Sequence, residues 1–192
     1  MEVLQNTITN ILEFIQTWDE NILMWIQENL RFDFLTWIMK KITFLGDSGW
    51  FWIVLATVCV CFKKIRKIGW CIGVSLALGA LITNIILKNL VHRVRPYNHM
   101  ESLELLITAP TDWSFPSGHT TASFAAAGII ANMMPARYGK SAYLLAILIA
   151  FSRLYLGVHY LSDVLVGMIV GLLSSRIVCD FYKKHHMKNK NK

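Results

Sequence analysis

The apolar residues of this chain collect in long runs, and that pattern constrains the fold more than any other feature. The runs extend over residues 50–62, 68–87, 117–134, 142–157 and 160–178. They approach the length of about 20 residues that a helix needs to cross a bilayer. Charged residues make up only 16% of the chain, whereas about 25% is usual in soluble domains. The sequence therefore predicts an all-α fold, a polytopic transmembrane bundle of about six helices including one near the N-terminus.

The first 30 residues have a different pattern. Apolar residues recur at helical spacing, and acidic and amide residues fill much of the opposite face. This pattern predicts an amphipathic helix over residues 1–30 that lies in the membrane interface. The stretch 32–45 is mostly apolar but contains Asp33, Lys40 and Lys41, so the sequence leaves open whether it spans.

The remaining boundaries follow from turn and charge signals. Gly46-Asp47-Ser48-Gly49 predicts a turn before the first clear apolar run. We expect the transmembrane domain to extend over residues 31–182, followed by a basic cytoplasmic tail over 183–192. We therefore expect a multi-pass protein of the cytoplasmic membrane.

Basic residues cluster at the ends of the apolar runs, in segments 63–67, 137–140 and 183–192. Such clusters favour the cytoplasmic side. If segment 63–67 is cytoplasmic, the alternation of spans brings all three segments to that side. The polar stretch 88–115 and the turn 157–159 then share the external face. Topology thereby accounts for the net charge of +7, and we expect no nucleic-acid partner.

Three short elements contain polar residues that membrane helices alone do not require. They are Lys88 to Pro96, Pro116 to His119, and Ser152 to Asp163. Lys88, Arg95 and Arg153 place three cations near the ends of apolar spans, where a lone charge is costly. A dianionic partner such as phosphate explains their company, and arginine suits it because guanidinium binds phosphate oxygens bidentately. Taken singly, these cations are equally typical of side chains that snorkel to lipid headgroups.

The other two elements supply an anion cradle and two imidazoles. Ser117 and Gly118 stand at the predicted start of a helix, where free N–H groups and the hydroxyl can bind an anion. His159 and Asp163 are four residues apart and so share a helix face. Asp163 can then hold one ring nitrogen of His159 and leave the other as a nucleophile. His119 lies beside the cradle and suits protonation of a leaving oxygen.

Together, the patterns KxxxxxxRP, PSGH and SRxxxxxHxxxD resemble those of the type 2 phosphatidic acid phosphatase superfamily. The resemblance implies a metal-independent phosphatase without a cofactor. His159 would form a phosphohistidine, Asp163 would hold its ring, and His119 would protonate the leaving lipid oxygen and then activate water. The phosphoryl oxygens would be bound by the remaining matched residues. These are Lys88, Arg95, Ser117, Gly118 and Arg153.

Within that superfamily, the chain resembles the bacterial enzymes that hydrolyse undecaprenyl diphosphate, with the site at the external face. Phosphatidylglycerophosphate and phosphatidate are the alternative substrates. A non-catalytic lipid transporter or scaffold is the alternative from another class, and it leaves the charged cluster without a role. A soluble haloperoxidase-like enzyme is disfavoured because it needs no apolar runs. The expected partners are the lipid substrate and membrane lipids, and the oligomeric state stays open.

Other polar and aromatic residues have simpler interpretations. His92 and His99 are expected to be solvated loop residues, and Arg93 to add positive potential to the site without direct contact. Trp113, Tyr155 and Tyr160 are candidates for lining the substrate entrance. The four cysteines form no CxxC pair, so neither a disulfide nor a zinc framework is expected.

Overall fold

The computed structural model describes residues 1–190, with the side chains of all of these except residues 2 and 186–190. Within that range the chain is helical and contains no strand. The α-helices are α1 (Glu2–Leu30), α2 (Asp33–Gly46), α3 (Trp50–Cys61), α4 (Arg66–Ala80), α5 (Lys88–Val91), α6 (Pro96–His99), α7 (Gly118–Met133), α8 (Ala136–Tyr155) and α9 (Leu161–Lys190). Residues 191 and 192, the end of the predicted basic tail, lie outside the described residues.

Three stretches of the described chain are long and apolar enough to cross a membrane, by length and composition. They are Asp33–Cys61, Arg66–His99 and Leu161–His185. The first joins α2 and α3 across a kink, and the second contains α4 to α6. The predicted class, an all-α membrane protein, is confirmed. The helix predicted over residues 1–30 is present as α1, and its position at the membrane interface stays a prediction.

Helix α7 lies at the centre of the bundle and packs against α4, α8 and α9. Its middle consists of small buried residues, Ala125 to Gly128. Small side chains let helices approach closely, and this is how membrane helices gain packing energy without a hydrophobic driving force. Gly171 of α9 shows how close the approach is, because a Cβ added there would lie 2.5 Å from the backbone oxygen of Thr121.

The turn between α2 and α3 changes the direction of the chain at the end of the bundle where the three motif segments lie. Ser48 and Gly49 have φ values of 50° and 67°, so the helical path breaks there, as the Gly-Asp-Ser-Gly pattern predicts. The sequence left open whether residues 32–45 cross the membrane. They form α2, which packs against α8. Thr36 and Thr43 of α2 hydrogen-bond the side chains of Tyr155 and Arg153.

The path from α4 to α6 positions the first of the three motif segments, Lys88 to Pro96. Helix α4 continues through a π-helical stretch, Leu81–Leu87, into α5. The extra residue per turn of π-helix rotates the following side chains, and such stretches are frequent at functional sites. Lys88 begins α5, and Arg95 immediately precedes the proline that starts α6.

Candidate active site

The three predicted phosphate-binding cations lie around one cavity, and all three are buried. Arg95 donates from Nη1 to the backbone oxygen of Val158 at 2.7 Å. Arg153 donates from Nη1 to the hydroxyl of Thr43 at 2.5 Å, and its Nε has no hydrogen-bond partner. A buried donor without a partner costs stability unless a ligand or water binds it. The free Nε of Arg153 therefore marks the cavity as a place that accommodates an acceptor.

Asp112 pairs with two of these cations, Lys88 and Arg95. This pairing was not predicted from the sequence. Its carboxylate accepts hydrogen bonds from Lys88 Nζ and from Arg95 Nη2, the latter at 2.7 Å. Burial opposes the charged carboxylate, but the hydrogen bond from Lys88 and the charges of Lys88 and Arg95 lower the pKa of Asp112 to about 2. The Asp112 carboxylate is thus the partner of both Lys88 and Arg95 in this structure. The only sequence signal for it was its position in the polar stretch 88–115.

His159 lies in the turn between α8 and α9, with its two ring nitrogens facing different groups. Nε2 lies 3.4 Å from Arg95 Nη1, and Nδ1 lies 3.5 Å from both Asp163 Oδ2 and Ser114 Oγ. Complete burial lowers the pKa of His159 through desolvation, which the nearby Asp163 only partly offsets. The ring is therefore neutral near neutral pH, so its contact with Asp163 is not an ion pair.

Asp163 is fully buried and accepts hydrogen bonds at both oxygens. Ser114 Oγ donates to Oδ2 at 2.5 Å, and the backbone N–H of Tyr160 donates to the same atom at 3.0 Å. Arg93 Nη1 donates to Oδ1 at 2.8 Å. The expectation that Arg93 acts without direct contact is therefore wrong. The sequence does not show this contact, because Arg93 and Asp163 are brought together only by the packing of α9 beside the loop after α5.

The residues of the predicted anion cradle lie at the start of α7. Ser117 is the N-cap, and its hydroxyl oxygen accepts from the backbone N–H and the hydroxyl of Thr120. His119 follows in the first turn, and its Nε2 lies 2.8 Å from Asp47 Oδ1 in the turn after α2. Asp47 entered the sequence interpretation only as a turn residue.

The cavity has a volume of about 1200 Å³ and joins these groups to an apolar groove. Six predicted site residues line it: Lys88, Arg95, Gly118, His119, Arg153 and His159. Ser117 and Asp163 lie behind them and are fully buried. Away from the charged end, the cavity continues between α3 and α4, where its walls are mostly apolar or small side chains. These are Ile53, Ala56, Thr57, Val60, Gly69, Trp70, Gly73, Leu76, Ala77 and Ala80.

The remaining candidates lie outside this cavity. Tyr155 and Tyr160 are buried in the protein and do not line it, so the expectation that they form the entrance is wrong. Trp113 packs edge-on against His92, and His99 Nε2 lies 3.2 Å from Glu20 Oε1. Among the described residues, no group of three or more His, Cys, Asp or Glu side chains is arranged to hold a metal ion.

Comparisons with known proteins agree on one family. The sequence model of the PAP2 superfamily matches residues 68–187. The chain is 32% identical to an undecaprenyl-diphosphatase of Sulfolobus acidocaldarius over 67% of this chain and 63% of that protein, which is less than two thirds of its length. It is 30% identical to phosphatidylglycerophosphatase B of Bacillus subtilis over 81% of this chain and 79% of that protein.

A solved structure extends the likeness to the fold. The transmembrane PAP2 type phosphatidylglycerolphosphate phosphatase from Bacillus subtilis superposes with a TM-score of 0.72 at 28% identity. The superposition covers 88% of this chain and 87% of that one. The residues that the family model matches, 68–187, include all three motif segments.

Proposed function

The chain belongs to the PAP2 superfamily, and from that premise we propose that it is an integral membrane lipid phosphatase. The reaction is hydrolysis of a phosphate ester or diphosphate on a lipid through a phosphohistidine. One observation carries the proposal: the cations and imidazoles of three separate motifs line the charged end of a cavity that continues as an apolar groove. A phosphorylated lipid has the same two-part chemistry, an anionic head on an apolar chain.

Phosphoryl binding falls to Lys88, Arg95 and Arg153, with the N-terminus of α7. The incoming phosphoryl oxygens displace the Asp112 carboxylate from Lys88 and Arg95 and provide an acceptor for the free Nε of Arg153. The backbone N–H of Gly118 adds a donor at the positive end of a 16-residue helix. Donors fixed before the reaction stabilise charge that develops in the transition state without reorganisation.

The nucleophile is Nε2 of His159. Its neutral ring has a lone pair on the atom beside Arg95, while Nδ1 faces Asp163. Attack forms an N–P bond as the bond from phosphorus to the leaving oxygen breaks. The developing imidazolium is stabilised by Asp163, in the manner of a carboxylate that orients a catalytic histidine.

His119 transfers the protons. It donates one to the leaving oxygen in the first step. In the second step it takes a proton from water, which attacks phosphorus, breaks the N–P bond and releases inorganic phosphate with free His159. Asp47 holds the His119 ring at the edge of the cavity, at 2.8 Å.

The groove between α3 and α4 supports a lipid substrate. Its walls use one face of each helix: Ile53, Ala56, Thr57 and Val60 recur at helical spacing on α3, as do Gly69, Gly73 and Ala77 on α4. From Ala80 to Gly69 the groove extends about 16 Å along α4, at 1.5 Å per residue. That length accommodates a substantial part of a lipid chain.

Undecaprenyl diphosphate is the substrate that we propose, and phosphatidylglycerophosphate is the second candidate. The first is supported by the archaeal relative, named as an undecaprenyl-diphosphatase, and the second by the Bacillus relative, named as a phosphatidylglycerophosphatase. A panel of undecaprenyl diphosphate, phosphatidylglycerophosphate and phosphatidate, compared by kcat/KM in one detergent, decides between them.

We propose further that the site faces outward from the cytoplasmic membrane. Helices α3, α7 and α9 each begin at the site end and extend toward basic residues, in segments 63–67, 137–140 and 183–185. The charged ends thus lie away from the cavity, as expected if they are cytoplasmic. The test introduces a cysteine at exposed Thr111 in a Cys61→Ser background, because Cys61 is itself exposed at the opposite end. Labelling by an impermeant reagent in intact cells supports this orientation, and labelling only after lysis contradicts it.

The enzymatic proposal is tested by phosphate release. The purified protein should release phosphate from lipid phosphates with EDTA present, and His159→Ala should abolish release. His92→Ala is the matched control, because His92 belongs to the same end of the protein but does not line the cavity. No release by the wild-type protein favours a transporter or scaffold, and undiminished release by His159→Ala contradicts the mechanism.

A further inference from the structure

Arg93 lies two residues before Arg95 but faces away from the cavity, into a cluster of polar side chains between α1 and the start of α9. Its guanidinium donates to Asp163 Oδ1 at 2.8 Å, to Asp19 Oδ2 at 2.7 Å and to Gln16 Oε1 at 2.6 Å. It also donates to the hydroxyl of Ser162 at 2.6 Å. One cation thus bridges a carboxylate of α1 and the buried carboxylate behind His159.

The geometry suits arginine in particular. Arg93 bonds the two carboxylates through different guanidinium nitrogens, Nη1 and Nη2, which a lysine ammonium cannot do with the same fixed directions. Its Cζ also lies 3.9 Å from the centroid of the Tyr160 ring, so the plane of the guanidinium is supported from one side. The side chain is therefore held in one orientation.

Helix α1 fixes the other end of this bridge. Asp19 is only 3% exposed although it belongs to a helix that is exposed along most of its length. Its Oδ1 accepts from the backbone N–H of Ser162 at 2.9 Å, and its Oδ2 accepts from the hydroxyl of the same residue. Asp19 thus supplies an acceptor and a negative charge to the first turn of α9, which carries Asp163.

The allocation of hydrogen bonds on Asp163 gives the bridge a consequence for His159. Oδ2 faces the ring and accepts from Ser114 and Tyr160, whereas Oδ1 is held by Arg93. The distance from Oδ2 to His159 Nδ1 is 3.5 Å, slightly longer than a well-formed hydrogen bond of about 2.7–3.2 Å. A small rotation of the carboxylate therefore decides whether that contact is kept.

We propose that Arg93, anchored by Asp19 of α1, is a positioning residue that fixes the Asp163 carboxylate against His159. The inference rests on the proposed phosphatase function, because its consequence is the orientation of the nucleophile. It also gives α1 a second role beside the interfacial one expected from its sequence: α1 carries the acceptor that holds the bridge in place.

The test compares Arg93→Gln, Arg93→Lys and Asp19→Asn with wild type in the full-length protein. Removing a residue that orients a metal ligand lowers activity by about 10- to 100-fold. We expect a similar loss when the arginine that holds Asp163, the residue that orients the nucleophile, is removed. Arg93→Gln should lower kcat by about that factor, with KM and the inhibition constant of inorganic phosphate within about twofold of wild type. The phosphoryl-binding cations are untouched, so anion binding should survive.

The two other variants test the bridge itself. Arg93→Lys should recover part of the lost kcat, because it keeps the charge but not the two fixed directions. Asp19→Asn should lower kcat less than Arg93→Gln, and the double variant should be no slower than Arg93→Gln alone, since both act through Asp163. Arg176→Gln is the control, because it removes an exposed ion pair with Asp180 at 2.8 Å on the same helix as Asp163.

Three results separate the possible failures. A kcat for Arg93→Gln within about twofold of wild type overturns the positioning role and leaves the proposed function intact. A loss of kcat that is matched by weaker binding of inorganic phosphate also overturns it, because the variant has then disturbed the whole site. A wild-type protein that releases no phosphate from any lipid in the panel overturns both.

Discussion

Nε2 of His119, in the first turn of α7, lies 2.8 Å from Oδ1 of Asp47, in the turn that joins α2 to α3. The two residues are 72 positions apart and meet beside the cavity. Asp47 approaches from a kink whose left-handed residues, Ser48 and Gly49, direct the chain into α3. A turn that the sequence marks only as a helix boundary thus supplies the partner of a candidate general acid.

Replacing Asp47 with Asn should slow the reaction without abolishing it. The amide keeps the shape of the side chain but removes the charge that favours the proton-carrying form of His119. We expect kcat to fall by about tenfold, a part of the 10²- to 10⁴-fold that general acid–base catalysis contributes. Steady-state kinetics on the lipid substrate measures it. Asp33→Asn, at the other end of α2, should have no effect, and equal losses in both variants would contradict the role of Asp47.

Asp112→Asn should reveal a pH-dependent contribution to stability. The pKa of Asp112 is lowered from 3.8 to about 2 in the folded protein, so the folded state favours the ionised carboxylate. Its stabilisation is therefore complete above about pH 4 and is lost as the pH falls toward 2. Thermal unfolding in detergent should show wild type more stable than the variant at neutral pH, with the difference vanishing near pH 2. A difference that is the same at both pH values would contradict the assignment.

The same variant should bind inorganic anions more tightly. Asp112 pairs with Lys88 and Arg95, so an anion that binds these cations must compete with it. Removing the charge should lower the inhibition constant of orthovanadate by about two- to tenfold, since each tenfold change corresponds to about 1.4 kcal/mol. Weaker inhibition would instead mean that Asp112 is needed to hold the two cations in place.

Gly73→Leu should block the apolar groove. A Cβ at Gly73 meets nothing within 4 Å, so the larger side chain extends into the space between α3 and α4. Leucine also favours helix more than glycine does, by about 1 kcal/mol, so the helix itself should not weaken. We expect kcat/KM for the lipid to fall by about tenfold, while kcat/KM for soluble p-nitrophenyl phosphate stays unchanged.

Val74→Leu is the matched control for the groove, because Val74 is exposed on α4 and does not line the cavity. It should leave both substrates unaffected. A parallel loss on both substrates in Gly73→Leu would indicate damage to the charged end, and an unchanged lipid reaction would place the lipid chain elsewhere.

Gly171→Ala should destabilise the bundle. The added Cβ would lie 2.5 Å from the Thr121 oxygen and 2.9 Å from the Ala125 nitrogen, both backbone atoms that cannot move independently. Overpacking of this kind costs about 1–3 kcal/mol in the free energy of unfolding. Gly73→Ala serves as the control, since it meets open space and should be neutral or slightly stabilising. Thermal unfolding of the two variants in the same detergent distinguishes them.

The fold class and the family followed from the sequence because each depends on local or contiguous signals. The apolar runs 50–62 and 117–134 predicted α3 and α7 closely. Helix α8 begins at Ala136, before its run, and α9 continues to Lys190, beyond its run, because polar residues extend both helices past their apolar parts. The three motifs identified the family, and the family match confirms it. The π-helical stretch after α4 was not predicted, because no period in residues 81–87 distinguishes it from α-helix.

The candidate site was predicted as a set of residues but not as a network. The motif cations and imidazoles were expected at one face, and the structure brings them to one cavity; their catalytic roles stay predictions. Their partners were missed. Asp112 lies in a polar loop where nothing in the sequence distinguishes it from its neighbours. Arg93 was expected to make no direct contact, but it binds Asp163, 70 positions away.

By itself the sequence determined which segments are helical and apolar enough for a membrane, because the bilayer acts on each segment separately and every backbone group there must be bonded within its own helix. Only the tertiary structure decided that Asp19, Arg93 and Asp163 form one bridge, or that Asp47 faces His119. Such pairs form between segments far apart in the chain. Their distances depend on how α1, α2, α7 and α9 pack, and side-chain packing between helices leaves no period in the sequence.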